Sequence, residues 1–92
     1  MVEVKRVHLL ISGCVQGVFF RANAKKMADL FRLKGWVKNL ATGQVELYAI
    51  GPEEQLKKII EWSHHGPPRA HVTKVDILWD KNLGNAHSFE VI

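Results

Sequence analysis

Cysteine occurs once in this 92-residue chain, at Cys14. No internal disulfide can form, so the fold has to be held by packing, and a reducing compartment, the cytoplasm, is expected. One thiol is too few for a C-x-x-C metal carrier. Long apolar runs are missing as well. The N-terminal run "VHLLI" spans five residues, and Lys5, Arg6 and His8 interrupt its approach. That is too short for a signal-peptide core or a membrane span, so no membrane association is expected. Acidic residues are the scarcer charge, 9 against 13 basic, for a net charge of +4. The basic residues are scattered (Lys5-Arg6, Lys25-Lys26, Lys57-Lys58) and form no block. This favours anionic ligands weakly and otherwise reads as a solvated mixed surface.

The five histidines form no H-x-x-x-H pair and no Cys/His cluster, so no metal site is expected. His64 and His65 close a helix, where they suit the negative end of its dipole. Trp36, Trp62 and Trp79 each lie within an apolar pattern, which favours core or half-buried packing over stacking platforms. The stretch "QVELYAI" lacks the aromatic pattern of an RNA-recognition strand, so nucleic acid is not an expected partner.

Apolar residues make up 47% of the chain and are spread along its whole length. Residues 1–92 are therefore expected to form one small domain around a single core. "VKRVHLLIS" places Val7, Leu9 and Ile11 on one face and predicts a strand over residues 4–12. Ala24, Met27, Ala28 and Phe31 recur at helical spacing, which predicts a helix over about 21–33, stopped by Gly35. Two strands flank Ala41-Thr42-Gly43, where glycine permits a tight hairpin. "PEEQLKKIIEWSHHGPP" reads as a second helix, with Pro52, Glu53 and Glu54 at its start and Leu56, Ile59 and Ile60 on its buried stripe. "AHVTKVDILWD" alternates as a strand, "LGNAH" reads as a turn, and "SFEVI" as a short closing strand. The order β-α-β-β-α-β points to an α+β, ferredoxin-like sandwich, a mostly antiparallel sheet with two helices on one face. That architecture hosts unrelated functions, so the site has to decide.

"SGCVQGVFFRANA", residues 12–24, lies between the first strand and the first helix. Successive backbone N–H groups in such a loop, with the positive end of the helix dipole, can converge on an anion. Gly13 and Gly17 allow backbone conformations and close approaches that a side chain blocks. Arg21 adds a planar fork suited to two phosphate oxygens. On these residues alone two readings stand: a phosphate cradle, or a turn followed by a surface arginine. The spacing is neither that of a Walker loop nor that of a dinucleotide fingerprint.

"GCVQGVFFR" (Gly13–Arg21) and "GWVKNLATGQVE" (Gly35–Glu46) resemble the two signature segments of the acylphosphatase family. "GPPRAHVTKV" and "FEVI" are also typical of it, so the resemblance runs through nearly the whole chain in order. It implies a ferredoxin-like fold and hydrolysis of carboxyl-phosphate anhydrides, without metal, cofactor or covalent intermediate. Arg21 would bind the substrate phosphate. The backbone amides of Val15, Gln16, Gly17, Val18, Phe19 and Phe20 would line the cradle, with the Gln16 side chain bracing the loop. Asn39 would hold the attacking water. The expected partner is a small-molecule acyl phosphate, and a monomer is expected. A non-catalytic anion-binding or regulatory module of the same fold is the alternative. The chain departs from the family pattern at Cys14, where relatives often carry Lys or Arg, and at Thr42-Gly43, where Asp-Gly is common.

The chemistry suits a motif that contains no acid or base. Phosphoryl transfer depends on positioning and charge stabilisation. The leaving carboxylate has a conjugate acid of pKa about 4, by analogy with Asp and Glu, so it departs without a proton.

Overall fold

Strand β1 (Val4–Cys14) runs through the middle of the sheet, paired antiparallel with β3 (Val45–Pro52) on one side and β4 (His71–Asp80) on the other. Strand β2 (Lys34–Asn39) lies outside β3, and β5 (Phe89–Val91) adds in parallel beyond β2. The sheet order is β4-β1-β3-β2-β5. Helices α1 (Phe20–Leu30) and α2 (Glu53–His65) provide the two crossovers. This computed structural model describes residues 4–80 and 86–92. The ferredoxin-like α+β arrangement is the one expected from the sequence. The expected turn at 83–87 falls largely outside the described residues.

The alternation in β1 divides the sheet into two faces. Val7, Leu9 and Ile11 are fully buried, together with Leu47 and Ala49 of β3, Val37 of β2, and Phe20, Ala24, Ala28, Leu56 and Ile59 of the helices. His8 points the other way and stands in register with Tyr48, which in turn faces Trp36. Their rings meet at 4.8 and 5.0 Å, and the Arg6 guanidinium lies 5.0 Å from the Tyr48 ring centre. One face is thus sealed by helices while the other stays half-buried and amphipathic, as antiparallel sheets permit. Trp36 and Trp62 are half-buried as expected. Trp79, on the outer strand β4, is 43% exposed, because no strand covers that edge. No helix among the described residues is long and apolar enough to cross a membrane.

Three boundaries differ from the sequence reading. β1 continues to Cys14, because a register shift between Ser12 and Gly13 lets Gly13 and Cys14 keep pairing with β4. α1 begins at Phe20 and ends at Leu30, three residues early, and Gly35 does not stop it. Arg32 takes the left-handed conformation (φ 58°), with Arg32 N–H bonded to Asp29 O (3.1 Å) and Leu33 N–H to Ala28 O (2.8 Å). This is a Schellman ending built on arginine rather than glycine, clamped by the buried Leu33. Gly35 belongs to β2 instead. There φ is 136°, and a Cβ would lie 1.9 Å from the Tyr48 carbonyl oxygen.

Gly35→Ala is therefore expected to cost more than about 4 kcal/mol, since backbone must move. Gly43→Ala, at φ 93° in the β2–β3 turn with open space around it, should cost only the about 1–2 kcal/mol of a left-handed residue. Urea denaturation of both variants checks this, and equal losses would contradict the steric account.

Candidate active site

Strands β1 and β2 flank β3 and both run antiparallel to it. Ile11 and Asn39 face the same β3 residue, Val45, from opposite sides. At an interstrand spacing of about 4.8 Å, the ends of β1 and β2 lie about 10 Å apart. The chain leaves β1 into the loop 15–19 and returns as the N-terminus of α1. Three elements thus converge at one end of the sheet.

The loop is anchored by alternating side chains. Val15 and Phe20 are buried in the core, Phe20 with its ring 5.0 Å from Trp62, and Val18 packs against them. Between these anchors Gly17 (φ 74°) and Phe19 (φ 65°, ψ 24°) take left-handed conformations. A loop that alternates hand in this way can turn successive amides toward a common side. Gln16 braces the loop from outside. Its Nε2 donates to Leu40 O (2.8 Å) and Gln44 O (2.9 Å) of the β2–β3 turn. Gln44 in turn donates from its own Nε2 to Ser12 Oγ (2.9 Å).

The elements enclose an open cavity of about 320 Å³. Val15, Gly17 and Phe19 from the loop, Phe20, Arg21 and Ala22 from α1, Asn39 from β2 and Val91 from β5 form its walls. Among the described residues the wall contains no Asp, Glu, His or Cys. Phe19, just before α1, gives the helix no side-chain cap, and its first turn has no acidic residue, whereas α2 carries Glu53 and Glu54 there. The free amides of the first turn and the dipole of α1 are left uncompensated beside Arg21. One guanidinium N–H of Arg21 donates to the Ile92 main-chain oxygen (3.0 Å), and Ile92 N–H is itself held by Val37 O (2.9 Å). Arg21 therefore leans on the residue that follows β5, which uses one of its five donors. The Asn39 Oδ1 is shielded from solvent and meets no donor among the described residues. The clear shifts of ionisation lie elsewhere: the hydrogen bond to Asp80 raises Arg6, and the hydrogen bond from Lys5 holds Glu53 below the usual carboxylate range.

The family described as Acylphosphatase matches residues 7–91. The chain belongs to the acylphosphatase family. Curated relatives from several organisms carry that name. The one from Roseiflexus sp. is 40% identical over 92 residues, covering 100% of this chain and 99% of that one. The one from Methylococcus capsulatus is 47% identical over 89 residues, covering 97% of each. The solved structure of an acylphosphatase from Coxiella burnetii superposes with a TM-score of 0.93 at 39% identity, covering 98% of this chain and 94% of that one. Family membership makes the chain a hydrolase.

The structure brings the two signature segments of the acylphosphatase pattern together. Arg21 and Asn39 stand on one cavity with Val15, Gly17, Phe19 and Phe20. Gln16 and Val18 are not among the walls: the Gln16 side chain reaches the β2–β3 turn and Val18 packs on the core. Cys14 lies exposed at the end of β1, opposite His71. Sequence reasoning did not foresee Ala22, Val91 and Ile92 at the site. "FEVI" was visible as a short strand, but a strand's register against β2 is not written in its own residues.

Removing the Gln16 donor leaves two backbone carbonyls without it. Gln16→Leu is expected to lower stability by about 2 kcal/mol and to weaken inhibition by inorganic phosphate. Calorimetry with a phosphate titration checks both. Unchanged phosphate affinity would show that the brace does not shape the loop.

Proposed function

We propose that residues 1–92 form one acylphosphatase domain that hydrolyses the carboxyl-phosphate bond of small acyl phosphates, acting as a cytoplasmic monomer. The observation that carries this reading is an uncapped helix N-terminus and Arg21 facing a cavity that has Asn39 on its wall and no acid or base around it. The loop amides of residues 15–20 and the Arg21 fork hold the equatorial phosphate oxygens, where charge accumulates in the transition state. Asn39 orients a water in line with the departing oxygen through its side-chain amide. Water oxygen bonds to phosphorus while the P–O bond to the acyl carbon's oxygen breaks. The carboxylate leaves with the electron pair, and a phosphate oxygen takes the water's proton. Products are the carboxylate and dihydrogen phosphate, so neither metal nor covalent intermediate enters the scheme.

Following loss of benzoyl phosphate by absorbance tests the reading. Arg21→Ala is expected to lower kcat/KM by at least about 10³-fold, and Asn39→Ala to lower kcat by about 10²–10³-fold. Phosphate should inhibit competitively and keep its affinity in Asn39→Ala but lose it in Arg21→Ala. No turnover by the native chain above the spontaneous rate would leave only an anion-binding module. The pH–rate profile should keep any limb near neutrality when each histidine is replaced by Gln, because the substrate phosphate is the proton acceptor. Loss of the limb in one such variant would identify a histidine base instead.

A further inference from the structure

Phe19 carries two unfavourable features at once. It is a bulky aromatic residue held at φ 65°, ψ 24°, where glycine or asparagine fits without strain. Its side chain is also 69% exposed. The loop's structural needs do not require that ring. The buried anchors are Val15 and Phe20, and it is the Phe19 carbonyl that fixes the helix start, accepting from Asn23 Nδ2 (2.8 Å) and Asn23 N–H (3.1 Å). Asparagine would serve that backbone better. A strained residue that also exposes a large apolar group beside a cavity points to a use for the side chain.

Its surroundings give that use. The phosphate end of a substrate is fixed by Arg21 and the loop amides, so the acyl group has to extend along the remaining wall. Phe19, Ala22 and Val91 supply that wall, and all three are apolar. Arg21 is the one charged side chain on the lining, and the phosphate occupies it. We propose that the Phe19 ring is the acyl-recognition surface of this site, selecting acyl phosphates whose acyl group is aromatic or branched and apolar over small or carboxylate-bearing ones. The inference rests on the acyl-phosphate reading of the cavity and adds the substrate class. An aromatic acyl group stacks on or packs edgewise against the ring. An acetyl group is too short to gain from it. A second carboxylate gains nothing from this apolar wall and meets no further cation among the described lining residues. Asn23, by pinning the carbonyl, keeps the ring at the mouth.

The test compares benzoyl phosphate with acetyl phosphate in the native chain, Phe19→Leu and Phe19→Asn. In parallel, the hydrolysis-resistant benzoylphosphonate and acetylphosphonate are titrated by calorimetry. The native chain should prefer the benzoyl member of each pair. Phe19→Asn should cut that preference about tenfold or more, chiefly through KM and Kd of the benzoyl compound, with Phe19→Leu between. The thermal midpoint of Phe19→Asn should rise as the left-handed strain is relieved. If the benzoyl-to-acetyl ratios stay within twofold of native in both variants, or the two compounds weaken in parallel, the ring serves the loop and the proposal is overturned. If the native chain turns over neither phosphate, the enzymatic reading fails, and the phosphonate ratios still decide the role of the ring.

Discussion

The primary amide of Gln16 ties the two halves of the site together. Its two hydrogen bonds to Leu40 O and Gln44 O tie the loop that follows β1 to the turn that follows β2. The amides of that loop and the side chain of Asn39 belong to segments about twenty residues apart in sequence, and the sheet alone sets their separation only through β3. The brace fixes it directly. Charge-neutral donors suit this place, because a cation here would compete with the loop for the bound anion. The apolar anchors on either side, Val15 and Phe20, then leave the loop little freedom except to present its backbone.

The two helices show how electrostatics is divided. α2 begins with Glu53 and Glu54, which satisfy its own dipole, and Glu53 is further held by Lys5. α1 begins with Phe20-Arg21-Ala22 and keeps its positive end uncompensated. Such an arrangement is unfavourable for the empty helix and favourable once an anion arrives. Among the described residues the walls carry no Asp, Glu, His or Cys, which matches a reaction whose leaving group needs no proton. The same walls are mostly apolar, and a low local dielectric strengthens the interaction between the anion and the donors aimed at it.

Much of this was legible in the sequence. The period-2 pattern of Val7, Leu9 and Ile11 located the central strand, and the order of elements located both crossovers. The signature segments named Arg21 and Asn39, and strand pairing explains how they meet. What escaped was set by backbone geometry or by tertiary contact. Arg32 ends α1 in a left-handed conformation normally signalled by glycine, so the helix was read three residues too long. Phe19 adopts the same hand with no local signal, since the residues that announce that conformation are Gly, Asn and Asp. The contact of Arg21 with Ile92 crosses from α1 to the residue after β5, and no local pattern in "FEVI" encodes it.

The central claim is that the backbone of residues 15–20, with Arg21, is the anion cradle. Amide chemical shifts recorded while inorganic phosphate is titrated into the native chain test it most directly. The account predicts saturable changes that are largest at the amides of Val15 to Phe20 and at the Arg21 side chain, with smaller changes at Asn39. Saturable binding whose largest changes fall at another place, such as the start of α2 or the open face around Tyr48, would contradict it.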